Sequence, residues 1–139
     1  MNASVVFENP PKWIDTVRMQ NWLIHEMEGL DLSLEVVYVF MSDEELWKLN
    51  VQHLDHDTYT DIITYDFRSE GLDEANLCVS IDRVLANSET FKVTAEDELV
   101  RVCVHGLLHL AGFGDKTENE ALEMRRQEQL AIDRFHVEH

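Results

Sequence analysis

The sequence contains little proline, glycine or cysteine: 2, 5 and 2 residues, respectively, among 139. Such low proline and glycine contents exclude a collagen-like chain and a low-complexity linker. Cys78 and Cys103 show neither a Cys-X-X-Cys nor a zinc-finger spacing. In a chain of this size they predict buried, unpaired thiols in a reducing compartment.

A long uninterrupted hydrophobic run is also missing. The longest apolar stretch, around residues 99–113, is interrupted by Arg101 and His105 and is too short to span a bilayer. Residues 1–13 contain no basic segment followed by an apolar one, so they do not predict a signal peptide. These absences predict a cytoplasmic protein that does not contact a membrane.

Basic residues are scarce, because 11 Lys and Arg stand against 28 Asp and Glu, for a net charge of −17. This excess of negative charge opposes long-range attraction to nucleic acids and to anionic membranes. DNA is therefore not an expected partner. An RNA substrate would need a focused local site, a cation or a partner protein.

The pattern of apolar residues and turn signals predicts one α+β domain over residues 1–139. Apolar residues make up 45% of the chain, which is typical of a globular protein. Strands are predicted over 4–8, 32–40, 62–67 and 77–81, and helices over 11–29, 43–52, 82–93, 95–112 and from the Thr117 cap to about residue 135. The order βαβαββααα predicts one small mixed sheet of about four strands, covered by about five helices.

Two histidines, His105 and His109, lie four residues apart in the predicted helix 95–112. Positions i and i+4 share one helix face, so both imidazoles can reach the same point. With seven histidines in the chain, about 0.3 pairs at this spacing are expected by chance. The spacing alone therefore does not show whether the two histidines bind a metal. Beyond Gly112, which is predicted to end the helix, Asp115 can return over that face.

The pattern H-x-x-x-H-x-x-G-x-x-D thus offers three ligands at the end of a long central helix. Three protein ligands and one open position are typical of a catalytic zinc site. The alternative is a pair of core histidines bound to backbone groups or buried water, with Asp115 capping a turn. Gly106 occupies the position of the glutamate base in H-E-x-x-H peptidases, which argues against peptide hydrolysis.

Several separated motifs resemble those of the YbeY family of metal-dependent endoribonucleases that mature ribosomal RNA. The segment HGLLHLAGFGD at 105–115 resembles the family signature H-G-x-L-H-L-x-G-[YF]-x-H. LN at 49–50 with YTDIITYDF at 59–67 is similar to the segment L-N…P-T-D-V-L-S-F, and VSIDRVLAN at 79–87 resembles I-S-x-D-R. The resemblance covers most of the chain from about residue 36.

The resemblance implies that His105 and His109 bind a metal, and that Asp115 stands where the family has a third histidine. Aspartate is an acceptable zinc ligand. Its charge should acidify bound water less than an imidazole would, and its harder oxygen makes another divalent ion such as manganese credible. A second departure is Leu54, which stands where the family usually has an arginine, a natural phosphate contact.

The resemblance also suggests roles for residues outside the metal motif. Arg83 is the carried-over basic residue and a candidate catalytic residue, and Thr60, Asp61 and Ser80 are candidates to line the substrate cleft. No general base is evident from the residues, and Asp61 or Asp82 is the candidate for that role. The alternative for Arg83 is a surface charge on a helix. The alternative for Thr60 and Ser80 is that they cap strands and turns.

The function implied by the resemblance is a single-strand-specific endoribonuclease with one zinc ion per chain. It would act in 16S ribosomal RNA 3′-end maturation and ribosome quality control, with precursor RNA and the small ribosomal subunit as partners. The alternative is a non-catalytic ribosome-assembly adaptor whose metal is structural or absent. A fourth protein ligand would favour the adaptor, and an open coordination position would favour catalysis.

Overall fold

The structure is a computed structural model that describes residues 2–54 and 60–137, without the side chains of residues 53 and 54. Its strands are β1 (Ser4–Glu8), β2 (Glu35–Met41), β3 (Ile62–Asp66) and β4 (Glu74–Ser80). Its helices are α1 (Thr16–Gly29), α2 (Asp43–Leu54), α3 (Ile81–Phe91), α4 (Ala95–Leu110) and α5 (Glu118–Val137). Within the described ranges, the order βαβαββααα is confirmed.

The four strands form one mixed sheet in the order β1-β2-β4-β3. β2 pairs in parallel with both β1 and β4, whereas β3 and β4 are antiparallel. Alternate residues of β2, Val36, Tyr38 and Phe40, are buried, as the predicted alternation requires. The predicted α+β class and the pairing of the strands at 62–67 and 77–81 are therefore confirmed.

Several predicted boundaries are wrong. The first helix begins at Thr16 instead of residue 11, because the Asp15 side chain caps it by accepting the backbone N–H of Arg18. β4 begins at Glu74, within the predicted turn, and ends at Ser80. Ile81 opens α3 because the Ser80 hydroxyl caps that helix, so the strand passes into the helix without a loop.

Helix α4 lies close against the sheet, and Gly106 is the residue that allows it. A Cβ atom at position 106 would lie 2.8 Å from Cδ1 of Leu77 and 3.0 Å from Cδ1 of Ile62. Glycine costs a helix interior about 1 kcal/mol relative to alanine. The close approach of α4 to β3 and β4 therefore explains this glycine.

The remaining predictions about burial and membranes concern Cys78, Cys103 and the helices. Both cysteines are buried and unpaired, as predicted. Burial, with a smaller effect of the Glu8 charge, raises the pKa of the Cys78 thiol to about 11. Among the described helices, none has the length and apolar character that a transmembrane span requires.

Candidate metal centre

The C-terminal end of α4 places the two histidines and the aspartate of the motif side by side. His105 and His109 lie in the last two turns of the helix. Gly112 adopts a left-handed conformation with φ of 100°, and the backbone N–H of Phe113 returns to the carbonyl oxygen of Leu108 at 2.9 Å. This reversal brings Asp115 back over the helix face.

The three side chains meet through one atom each. The Nε2 atoms of His105 and His109 are 2.9 Å apart, and Oδ2 of Asp115 lies 3.5 Å and 3.3 Å from them, respectively. These atoms lie on a circle of radius about 1.9 Å, so an ion at 2.0–2.2 Å from all three would sit just outside their plane. The group can therefore hold a metal ion with a face left open.

Each imidazole is oriented by a partner on its other nitrogen. Nδ1 of His109 donates to the carbonyl oxygen of Phe113 at 2.9 Å, and Nδ1 of His105 donates to Oε2 of Glu128 at 2.6 Å. Because a carbonyl and a carboxylate accept, Nδ1 carries the proton in each neutral ring and Nε2 keeps its lone pair. This carboxylate–histidine arrangement is typical of metal ligands.

A partly buried ion-pair network continues from His105 into the protein. Arg101 donates to Glu98 at 2.6 and 2.9 Å and reaches Oε1 of Glu128 at 3.5 Å and Oδ2 of Asp61 at 3.3 Å. Burial opposes the charge of Arg101, but the hydrogen bond to Glu98 and the charges of the three carboxylates outweigh it, so its pKa is raised above its ordinary value. The guanidinium therefore stays charged and holds Glu128 behind His105.

The other sequence-predicted site residues form a separate cluster at the end of β4. Oγ of Ser80, which is fully buried, donates to Asp43 at 3.1 Å and accepts the backbone N–H of Arg83. The Arg83 guanidinium contacts Asp43 at 2.7 Å, and Asp82 accepts the backbone N–H of Asp43 at 2.8 Å. The hydroxyl of Thr60 donates to the backbone carbonyl oxygen of Ile62 at 3.4 Å.

Of these predicted residues, Asp61 is the one joined to the histidines through the Arg101 network. Its carbonyl oxygen also accepts the backbone N–H of Ser80 at 3.0 Å, which ties the two clusters together. Leu54, which stands where the family usually has an arginine, has a side chain outside the described part of the structure. The roles of Asp61, Arg83, Thr60 and Ser80 in chemistry stay predictions.

The sequence prediction missed Glu128 and Arg101. Glu128 lies on α5 among the buried residues Met124, Ala131 and Phe135. Their spacing of four, three and four residues marks the apolar face of a helix, so a carboxylate in that series indicates a buried partner. Arg101, one turn before His105 and between the buried residues Val100 and Val102, gives the same signal.

The histidines and Asp115 border open space. A cavity of about 250 Å³ is lined by His105 and Asp115 together with Arg101, Arg125 and Glu128. The side chains of His105, His109 and Asp115 are 20%, 32% and 42% exposed, so a substrate group can approach the three ligand atoms. This exposure counts against the alternative of two core histidines.

Comparison with known proteins agrees with the motifs. The family model described as "Endoribonuclease YbeY" matches residues 8–136. An endoribonuclease YbeY of Christiangramia forsetii is 40% identical over 120 residues, covering 86% of this chain and 84% of the relative. That of Flavobacterium johnsoniae is 44% identical over 104 residues, or 75% of each chain.

A solved structure supports the fold independently. The solution structure of a Thermotoga maritima protein matches with a TM-score of 0.65 at 24% identity, covering 94% of this chain and 88% of that one. At this identity the likeness concerns the fold alone. The family match over most of the chain confirms the resemblance seen in the motifs: the chain belongs to the endoribonuclease YbeY family.

Proposed function

We propose that this protein is a metal-dependent, single-strand-specific endoribonuclease that acts on ribosomal RNA precursors. Its role would be 16S ribosomal RNA 3′-end maturation and ribosome quality control in the cytoplasm, with the small ribosomal subunit as partner and residues 1–139 as one domain. The observation that carries the proposal is the His105–His109–Asp115 group on an accessible face, in a chain of the endoribonuclease YbeY family.

The proposed cofactor is one zinc ion per chain, bound by Nε2 of His105, Nε2 of His109 and a carboxylate oxygen of Asp115. When bound, the ion supplies a Lewis acid that polarises the phosphodiester and activates a water molecule. The hard oxygen of Asp115 also suits another divalent ion, such as manganese. Glu128 and the Phe113 carbonyl oxygen fix the two imidazoles, so little reorganisation is needed on binding.

Asp61 and Arg83 are the proposed catalytic groups, and Thr60 and Ser80 the proposed cleft residues. Asp61 is linked to His105 through Arg101 and Glu128, and its carboxylate is the proposed acceptor of the proton from the attacking hydroxyl or water. Arg83 offers a guanidinium for a phosphate, although Asp43 already holds it at 2.7 Å. A bound divalent ion would also attract a phosphate group locally, although the net charge of −17 makes the protein as a whole repel RNA.

The adaptor alternative makes a different prediction about the ligands. A structural zinc ion normally has four protein ligands, whereas the group found within the described residues offers three. The open face supports catalysis.

The deciding experiment measures 16S ribosomal RNA 3′-end processing in cells that lack the protein. Wild type is expected to restore processing, whereas His109→Ala, present at the same level, is expected to leave precursor uncleaved because one of three metal ligands is gone. The matched control is His25→Ala, an exposed histidine on α1, which should complement. Full complementation by His109→Ala would remove the catalytic proposal and leave the adaptor.

Glu128→Gln is expected to lower zinc affinity by about 10-fold or more, in the range that partners of metal-bound histidines contribute. The substitution keeps the shape of the side chain and removes the charge that accepts from Nδ1 of His105. Competition with a chromophoric chelator measures the affinity. Glu123→Gln, on the exposed face of the same helix beside Arg126, is the control; equal affinities in both variants would exclude Glu128 from supporting the site.

A further inference from the structure

A second, larger cavity adjoins the metal centre. It has a volume of about 610 Å³ and lies between α3, α4 and α5. Arg101, Arg125 and Glu128 line both this cavity and the 250 Å³ cavity that contains His105 and Asp115. A molecule bound at the histidines can therefore extend past Arg125 into the larger space, which is of the size that small ligands occupy.

Arg125 differs from every other arginine of the chain. The other six guanidiniums each donate to a carboxylate or to a backbone carbonyl oxygen: Arg18, Arg68, Arg83, Arg101, Arg126 and Arg134. For Arg125, no hydrogen bond or ion pair is made to any residue within 2–54 and 60–137. It is exposed, and it stands where the two cavities meet. A planar guanidinium with five free donors is suited to a phosphate group.

The larger cavity itself is not a phosphate site. Its wall carries Asp61, Asp97, Glu98 and Glu128, and these carboxylates would repel an anion. They are suited instead to hydrogen-bond donors such as ribose hydroxyls and the amino groups of bases. Three of them face Arg101, and Asp97 accepts from Nε2 of His136 at 2.7 Å, so none is directed at Arg125.

The same cavity offers an aromatic surface. Phe91, the last residue of α3, lines it and is 57% exposed, beside Val93, which is 44% exposed. Asn87 and Gln129 contribute amide groups. An exposed phenyl ring can stack on a nucleobase, and such stacking tolerates any base because every base has a π face. The wall thus combines an apolar ring with acceptors and amides.

We propose that the 610 Å³ cavity is a nucleotide subsite for the RNA, a proposal that rests on the proposed function. A base stacks on Phe91, its ribose hydroxyls donate to the acidic wall, and the phosphate between this nucleotide and the metal centre binds Arg125. The charge of the wall matches a nucleotide in this direction only, with the phosphate at Arg125 and the nucleoside inside.

Cleavage kinetics on a single-stranded RNA with zinc-loaded protein provide the first test. Arg125→Ala is expected to raise KM about 10-fold or more, the effect of losing a charged hydrogen bond, and Arg126→Ala, with the same charge change one residue away, less than about 2-fold. Phe91→Ala is expected to raise KM about 5-fold or more through lost stacking, and Leu122→Ala, an exposed residue of α5, to leave it unchanged. Bound zinc should be equal in all variants.

A second measurement separates this proposal from the proposed function. Adenosine monophosphate, adenosine and inorganic phosphate are titrated against zinc-loaded protein by NMR, which needs no turnover. Arg125→Ala should weaken the monophosphate and inorganic phosphate, and Phe91→Ala should weaken the monophosphate and adenosine. If wild type cleaves RNA but Arg125→Ala and Arg126→Ala have the same KM, the subsite proposal is wrong while the endoribonuclease proposal stands. If wild type cleaves no RNA, the endonuclease proposal falls, and the titrations still decide the subsite: unchanged monophosphate binding in both variants overturns it.

Discussion

Arg101→Met is expected to lower the free energy of unfolding by about 3–5 kcal/mol, the cost of leaving a buried charge without its partner. Arg101 is the common partner of Glu98 and Glu128, whose side chains are 1% and 5% exposed. Methionine fills a similar volume, so the loss is electrostatic and not due to a cavity. Urea unfolding of metal-free protein at pH 7 measures it.

The control is Arg126→Met, which removes an arginine of α5 whose side chain is 62% exposed in its pair with Glu123. Exposed pairs contribute less than about 1 kcal/mol, so this variant should unfold close to wild type. The double variant Arg101→Met with Glu98→Gln should recover part of the loss, because a neutral amide costs less to bury than an unpaired carboxylate. Equal losses in Arg101→Met and Arg126→Met would show that the network does not stabilise the fold.

Asp115→Ala is expected to lower zinc affinity by about 100-fold or more, since it removes one of three proposed ligands of a strongly bound ion. Metal analysis after dialysis against a weak chelator should show little bound zinc. The control is Asp73→Ala, which removes an exposed carboxylate just before β4. If Asp115→Ala keeps as much zinc as wild type and Asp73→Ala, Asp115 is not a ligand.

Asp115→His should have the opposite effect on zinc. An imidazole is a softer ligand than a carboxylate, so zinc affinity should rise and the preference for zinc over manganese should increase. Oδ2 of Asp115 lies 3.3–3.5 Å from the two Nε2 atoms, a separation that fits tetrahedral coordination. Lower zinc affinity in this variant would contradict the inferred geometry. Titration with each ion, in competition with a chelator, measures both affinities.

The sequence by itself determined the elements and the core of the metal group. Helix caps and glycine act over a few residues, so they can be read locally: Thr117, the predicted cap of the last helix, exchanges hydrogen bonds with Glu120, and Gly112 reverses the chain after α4. The spacing of His105 and His109 fixes a shared helix face in the same local way. The predicted start of the first helix was wrong because the side chain of Asp15 caps that helix and sets its first residue.

Only the tertiary structure decided what surrounds the three motif residues. Glu128 lies 23 residues from His105, and Asp61 lies 40 residues from Arg101, so these contacts exist because α5 and β3 pack beside α4. Periodicity indicates that a residue faces the core, but it does not identify the residue that it meets there. The junction of two cavities at Arg125 likewise depends on the packing of three helices, because the shape of the space between elements is set by their relative positions.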